Sequence, residues 1–257
     1  MTNFEFRVAS YVRLNLQPAN CIYEDLVASN ICDSCFGADP FKFNTWHHIG
    51  CNGHRRELTS RHHGVYNVIA RHVDLMNTEV VKEPASDLQD ANLRPDLKIS
   101  LHHADHFLDV TIVHPLCKKN LGFAQRQLGS AAHAEKEKNK KYLVECDKIK
   151  AKFHPFAIET FGGLGKQAGK FLTTLALFAT ENCCIIPAGE LMTSLRNSIA
   201  CAVQKGNALI VARASVRASH TFEARVNKIT TVTRYDSDPS YLSRTRKKSV
   251  QRSVSQV

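Results

Sequence analysis

The stretch that most constrains the fold is RPDLKISLHHADHFLDVTIVHP, residues 94–115. Its two apolar-rich runs, RPDLKISL and HFLDVTIV, are separated by the polar segment HHAD, which predicts a β-hairpin. Asp96 follows a proline at the start of the first run, and Asp109 lies inside the second. Because an unpaired carboxylate in a strand interior is costly, the hairpin must supply its acids with partners.

In such a hairpin, Asp96 and Asp109 would meet across the ladder with their Cα atoms about 5 Å apart. Two carboxylates that close repel one another unless a cation lies between them. Oxygen ligands of this kind suit Mg²⁺ or Mn²⁺, and such a metal can polarise a phosphodiester and activate water. In the alternative, Asp96 caps the start of a strand and Asp109 pairs with a nearby Arg or Lys. Spacing alone leaves both interpretations open.

The segments around the hairpin predict one mixed sheet covered by helices. Helical spacing over residues 60–76 is followed by a short strand in TEVVKEP, and a long charged helix is predicted over residues 121–152. FHPFAIET predicts a further strand, and two more helices are expected over residues 166–180 and 189–218. The resulting order of helix, three strands, helix and strand favours an α/β architecture.

A second constraint is CDSCFGADPFKFNTWHHIGC, residues 32–51, which combines a C-x-x-C pair with an H-x-x-x-C pair. Zn²⁺ prefers four tetrahedral N or S ligands, and a closed set of four is structural. The candidate ligands are Cys32, Cys35, His47 or His48, and Cys51. In the alternative, these are incidental residues of a protein with reduced thiols.

Composition narrows the class of partner. The formal net charge of +10 favours an anionic partner, with nucleic acid the first candidate. Neither an apolar run long enough to cross a membrane nor a signal-peptide core is present, so the nine cysteines are expected to be reduced and no membrane partner is expected. The basic residues that could contact phosphate are Arg55, Arg56, Arg61 and Arg71, and in the tail Arg244, Arg246, Lys247, Lys248 and Arg252.

The Pro-Asp pair, an acid about a dozen residues later in an apolar strand, and the predicted element order together resemble the PD-(D/E)XK nuclease superfamily. That superfamily usually places a lysine two residues after the second acid, where this chain has Thr111. Some members carry the lysine on the following helix instead. Here EKEKNKKY offers Lys138 and Lys141, one turn apart on the same helix face.

RPDL, LDVTIVHP, AEKEKNKKY and FAIETFGGLG together resemble more narrowly the restriction-like endonuclease domain that follows the reverse transcriptase of certain non-LTR retrotransposons. In that family a Cys-Cys-His-Cys zinc motif comes first, then an Arg-His pair that opens a helix, then the nuclease core. All three occur here in that order, and the resemblance covers about residues 30–215. The family spacing favours His47 over His48 as the zinc ligand.

The resemblance implies a role for each matching residue. Asp96 and Asp109 match the metal-binding acids, and one of the two lysines before Tyr142 would orient the attacking water and stabilise charge on the phosphate. Arg61 and His62 match the Arg-His pair, although His63 stands where the family commonly has Asn. The pair could orient the acids, contact DNA, or serve only the structure. Glu159 matches an acid that could bind a second metal or cap the Gly-rich turn.

These observations predict a metal-dependent DNA endonuclease with a PD-(D/E)XK core, which uses Mg²⁺ or Mn²⁺ for cleavage and Zn²⁺ for structure. The family implies nicking of a genomic target that primes reverse transcription, with retrotransposon RNA or reverse transcriptase as further partners. The nucleus is the expected location, because RKK at residues 246–248 could serve as a nuclear import signal. One alternative is a non-catalytic DNA-binding module; another is a structure-specific nuclease or resolvase. The predicted units are a helical lead-in (1–30), a zinc knuckle (31–57), the nuclease core (58–180), a helical extension (188–220) and a basic disordered tail (235–257).

Overall fold

A computed structural model describes residues 45–84, 92–182 and 187–236, the last range as backbone alone beyond 214, together with residues 2, 3, 5, 6, 9, 10, 35, 88 and 90. The described part is a mixed α/β structure. A 3-10 turn at Asn52–His54 joins the first two helices. The helices and strands in chain order are α1 (Thr45–Gly50), α2 (Arg55–Asp74), β1 (Val80–Lys82), β2 (Leu97–Leu101), β3 (Ala104–Val113), α3 (Leu121–Ala124), α4 (Gly129–Lys148), β4 (Lys152–Glu159), α5 (Lys166–Asn182) and α6 (Ala188–Asp236).

The four described strands form one mixed sheet in the order β1-β2-β3-β4. β2 pairs antiparallel with β1 and β3, whereas β3 and β4 are parallel and are connected through α4. The α/β class and the mixed sheet flanked by helices are therefore confirmed at this level.

The predicted hairpin forms, but its turn is shorter than the sequence suggested. Only His102 and His103 lie between β2 and β3, and both have positive φ, 48° and 62°. Two consecutive residues with positive φ suit the tight hairpins whose twist matches that of the strands. Ala104 and Asp105, predicted as part of the turn, therefore begin β3.

The single long helix predicted over residues 121–152 is wrong. The chain breaks between α3 and α4, where Leu128 adopts the left-handed conformation with φ 56°. Gly129 follows, and a Cβ at this position would lie 2.0 Å from the carbonyl oxygen of Phe123. This close backbone approach requires glycine and turns the chain before α4 can begin.

Helix α2 begins at Arg55, so Arg61 and His62 lie within the helix and do not open it as predicted. It also overlaps the end of the predicted zinc knuckle (31–57). α6 continues to Asp236, beyond the predicted end of the helical extension at residue 220. Residues 11–30 of the predicted lead-in and residues 237–257 of the predicted tail lie outside the described residues.

Each face of the sheet is covered by its own apolar cluster. On one face, residues of α2, α5 and α6 pack on β2, β3 and β4 around Leu97, Leu108 and Phe156. On the other face, Phe107 and Phe153 pack against Tyr142 of α4, with the Phe153 and Tyr142 rings stacked at 4.8 Å. Asp109 lies two residues from Phe107 on β3, so it points to the α4 side of the sheet.

Two histidines lie inside this structure at the start of β3 and β4. His106 Nδ1 and His154 Nε2 are 2.9 Å apart, so one ring donates a hydrogen bond to the other. Burial, followed by the positive charge of Lys152, lowers the pKa of His106 from 6.5 to about 4. Burial also lowers the pKa of His154 to about 4. Both rings are therefore neutral in the folded protein at pH 7.

This pair predicts that stability decreases in mild acid. Between about pH 6.5 and about pH 4 the unfolded chain binds protons that the folded chain does not, so the free energy of unfolding falls as pH falls, by up to about 1.4 kcal/mol per pH unit for each histidine. Urea midpoints at several pH values in this range measure the slope. The double variant His106→Leu/His154→Leu is expected to reduce this slope, and the remainder comes from His114, whose pKa burial also lowers to about 4. The control His103→Asn in the exposed turn is expected to keep the full slope. An unchanged slope in the double variant would contradict the assignment.

Candidate functional site

The two aspartates lie on neighbouring strands, as the hairpin predicted. Continuing the register Leu97↔Leu108 by one residue places Asp96 opposite Asp109. The backbone of β3 fixes Asp96 at two points: its N–H donates to the carbonyl oxygen of Leu108 at 2.9 Å, and its Oδ2 accepts from the N–H of Val110 at 2.6 Å. The carboxylate of Asp96 is thus oriented before any ligand binds.

Helix α2 adds a histidine to this carboxylate. His62 Nε2 lies 3.0 Å from Asp96 Oδ2 and 3.0 Å from the carbonyl oxygen of Val110. Both neighbours are acceptors, so Nε2 must carry a proton. Burial opposes the charge on His62, but the hydrogen bond to Asp96 and the negative charge of Asp96 outweigh it, so the pKa is raised above its ordinary value.

Helix α4 supplies a lysine to the second acid. Lys138 Nζ lies 2.5 Å from Asp109 Oδ2, and the Asp109 residue is only 4% exposed. Thr111, at the usual lysine position of the superfamily, reaches the same oxygen with its hydroxyl at 3.5 Å. These contacts match the interpretation without a metal, in which Asp96 is held by backbone and Asp109 by a lysine. The Tyr142 hydroxyl is a further hydrogen-bond partner of Asp109, whose side chain is 6% exposed, whereas Oδ1 of Asp96 accepts no hydrogen bond from a described residue.

Lys141 and Tyr142 lie beside this pair. Lys141 Nζ is 3.4 Å from the Tyr142 hydroxyl, which in turn donates to the carbonyl oxygen of Arg94 at 3.2 Å. Burial, and then the charge of Asp109, raises the pKa of Tyr142 beyond its ordinary range. The phenol therefore stays protonated and serves as a donor. Of the two lysines, only Lys138 forms an ion pair with a described acid.

Arg61 lies away from the two aspartates and joins several elements. Its Nη1 donates to the carbonyl oxygen of Ile49 at 3.0 Å and to Asn207 Oδ1 at 2.6 Å, and the residue is 5% exposed. A Cβ at Gly206 would lie 2.3 Å from Arg61 Cγ, so glycine lets the arginine stem pack on α6. Burial lowers the pKa of the guanidinium to about 10, which still leaves it charged. This geometry supports the structural alternative for Arg61.

Glu159 is likewise separated from the aspartates. It pairs with Val113 in the β3–β4 register, four residues beyond Asp109, which corresponds to about 13 Å along the strand. Its Oε1 accepts from the N–H of Ala131 at 3.3 Å, near the start of α4. The side chain therefore caps a helix, and its backbone N–H bonds to the carbonyl oxygen of Gly163 in the Gly-rich turn at 2.8 Å.

A candidate metal centre lies on α1 and its flanks. The ligand atoms of Cys35, His47 and Cys51 all lie within 4.8 Å of one another, and Cys35 Sγ is 3.6 Å from His47 Nε2. No other such group of three occurs in the part of the chain that the structure describes. His48 instead pairs with His54, with 3.2 Å between their ring nitrogens. The three residues could hold a metal ion such as zinc; the predicted fourth ligand, Cys32, lies outside the described residues.

No protein-family model matches the chain, and no curated protein matches it. The interpretation of both sites therefore depends on the geometry given above. Within the described ranges, no helix has the length and apolar character needed to span a membrane.

Asn207 was not anticipated as a partner of Arg61, because 146 residues separate the two in sequence.

Proposed function

We propose that this chain is a metal-dependent DNA endonuclease with a PD-(D/E)XK core, similar to the nuclease domain of non-LTR retrotransposons. The observation that carries the proposal is the pair Asp96 and Asp109 on adjacent strands, with Lys138 from the next helix on Asp109. The order of α2, three strands, the helices α3 and α4, and a fourth strand around this pair supports it. No single one of these contacts would be enough to assign a nuclease site, since acids and lysines also form structural ion pairs.

The donor set of the acid pair is compatible with Mg²⁺ or Mn²⁺. Mg²⁺ is usually bound through one or two carboxylates and several waters, and Oδ1 of Asp96 accepts no hydrogen bond from a described residue. A metal held there would polarise the phosphodiester and supply an activated water. The chain's own contribution is to orient Asp96 through Val110 and His62 before the substrate arrives.

Lys138 takes the role of the superfamily lysine in this proposal. Its ammonium group lies beside Asp109 and within 5.9 Å of the Tyr142 ring centroid, so it is held close to the acids by two contacts. From there it can hydrogen-bond a water and stabilise negative charge that develops on the phosphate. Thr111 stands at the position of the usual superfamily lysine but cannot perform its role, because its short side chain carries no charge.

The proposal also includes the partner, the location and the zinc knuckle expected from the sequence. DNA is the proposed partner, in keeping with the net charge of +10, and the nucleus is the proposed location. Cys32 would complete the Cys35–His47–Cys51 group as a zinc knuckle that positions DNA or stabilises the fold. Retrotransposon RNA and reverse transcriptase are proposed partners through the resemblance alone.

A non-catalytic DNA-binding module is the second candidate, and one observation favours it. Both acids already have protein partners, because Asp96 binds His62 and Val110 and Asp109 binds Lys138. Such a network can serve stability without a metal.

Nicking of supercoiled plasmid by the full chain in Mg²⁺ or Mn²⁺ separates the two candidates. The nuclease is expected to produce open circles that depend on the divalent metal and disappear with a chelator. DNA binding without nicking in either metal would contradict the nuclease and favour the binding module.

Substitution of the two lysines assigns the catalytic role. Lys138→Ala is expected to reduce the nicking rate by about a hundredfold or more, since charge stabilisation of a transition state is typically worth several kcal/mol. Lys141→Ala is expected to cost much less, because Lys141 contacts Tyr142 and no described acid. Single-turnover nicking rates at saturating DNA measure both. A larger loss in Lys141→Ala would reverse the assignment.

A further inference from the structure

The first two turns of α2 carry a basic surface that the acid pair does not explain. Arg55, Arg56, Thr59, Ser60 and His63 line an open cavity of about 650 Å³, and together they form what is here named the arginine face. Both arginines are exposed, and neither forms an ion pair or hydrogen bond with a described residue.

The nearest acid in sequence does not neutralise this surface. Glu57 is 4% exposed and points into a different groove, between α2 and α6, where its Oε1 lies 3.4 Å from Arg213 Nη1. The described residues that line the arginine face include no carboxylate. Its two guanidinium groups therefore keep their full charge toward solvent, together with the hydroxyl groups of Thr59 and Ser60.

The arginine face is continuous with the acid pair. The His63 ring centroid lies 5.8 Å from that of His62, and His62 Nε2 lies 3.0 Å from Asp96 Oδ2. From Arg55 to His62 the helix advances about 10 Å at 1.5 Å per residue. A ligand that reaches the acids along this side of α2 must therefore pass the two arginines.

The chemistry of the surface fits a phosphodiester backbone. Guanidinium groups bind phosphate oxygens with paired hydrogen bonds, and hydroxyl groups add single donors. One strand of a duplex advances about 3.4 Å per nucleotide, so a distance of about 10 Å corresponds to about three nucleotides. Several consecutive phosphates can thus be bound by one side of α2.

We propose that the arginine face is a phosphate-backbone subsite, which holds a DNA strand about three nucleotides from the phosphate at Asp96 and Asp109. The placement relative to cleavage rests on the proposed nuclease function; the binding of backbone phosphate does not. The subsite fixes the register of the strand over the acids and carries no base specificity.

The test compares Arg55→Ala/Arg56→Ala with the control Arg126→Ala/Arg196→Ala, which removes the same charge from exposed positions outside the arginine face. Arg126 lies between α3 and α4, and Arg196 lies on α6. Affinity for a short duplex is measured against salt concentration without divalent metal, so cleavage cannot influence the result. Circular dichroism confirms that both variants are folded.

The first double variant is expected to reduce the slope of log affinity against log salt by about 1.8, the value for two lost phosphate contacts. Between about 50 and about 200 mM salt, the wild type then loses about twelvefold more affinity than the variant. Arg55→Lys/Arg56→Lys is expected to keep the slope with reduced affinity, because lysine retains charge without the paired hydrogen bonds.

An unchanged slope in Arg55→Ala/Arg56→Ala, or an equal reduction in the control, would overturn the subsite. Nicking is measured in a separate experiment, so the affinity test remains valid even if the chain does not cleave DNA. Where nicking occurs, a neutral methylphosphonate about three nucleotides from the nick is expected to slow the wild type and not the alanine variant. Equal slowing of both proteins would contradict the placement.

Discussion

Asp109→Asn is expected to abolish metal-dependent nicking of supercoiled DNA while DNA affinity stays close to that of the wild type. The substitution preserves shape but removes the charge that faces Lys138 at 2.5 Å and the acid that would share a cation with Asp96. A divalent metal contributes several kcal/mol of charge stabilisation, so its loss corresponds to a nicking rate at least about a hundredfold lower. Plasmid nicking and duplex affinity, measured on the same preparation, check the prediction.

The matched control is Asp105→Asn on the same strand. Asp105 Oδ2 lies 3.1 Å from Lys98 Nζ, and the Asp105 side chain is 42% exposed, so this variant removes an ordinary surface ion pair. It is expected to nick at the wild-type rate, because exposed pairs contribute little to stability. Nicking by Asp109→Asn at the control rate would assign Asp109 to structure alone.

The hairpin could be predicted from sequence because its signals are local. Two apolar runs and a short polar turn fix the strands, and alternation along β3 places Asp109 on the α4 side of the sheet. Lys138 could be predicted as a candidate only through the resemblance, together with Lys141 one turn away on the same helix face. Its contact with Asp109 depends on how α4 crosses back over the sheet, which no local pattern specifies.

Other features depend on distant contacts and could not be predicted. The break between α3 and α4 depends on the approach of Gly129 to the Phe123 backbone, although the composition of the segment favours one helix. The structural role of Arg61 depends on Asn207 and Gly206 of α6, which are remote in sequence. His47 and His48 have the same chemistry in sequence, and only the fold pairs His48 with His54 and leaves His47 beside Cys35.

At the candidate metal centre, Cys51→Ser is expected to remove bound zinc and to lower the free energy of unfolding. Cys51 is 4% exposed and directly follows α1, whose Ile49 packs with Ala208 and Val211 of α6. A zinc ion at this position would therefore tie α1 to the core. At a free concentration a thousandfold above its Kd, a ligand that binds only the folded state adds about 4 kcal/mol to the free energy of unfolding.

Metal content by elemental analysis and urea unfolding with and without a chelator test this effect. The wild type is expected to contain about one zinc per chain and to lose stability with the chelator, whereas Cys51→Ser lacks both properties. Cys201→Ser, at an exposed cysteine of α6 outside the group, is the matched control and keeps both. His47→Ala is expected to behave like Cys51→Ser and His48→Ala to retain zinc, because only His47 lies among the three ligands. Zinc content unchanged by Cys51→Ser would exclude a metal at this position.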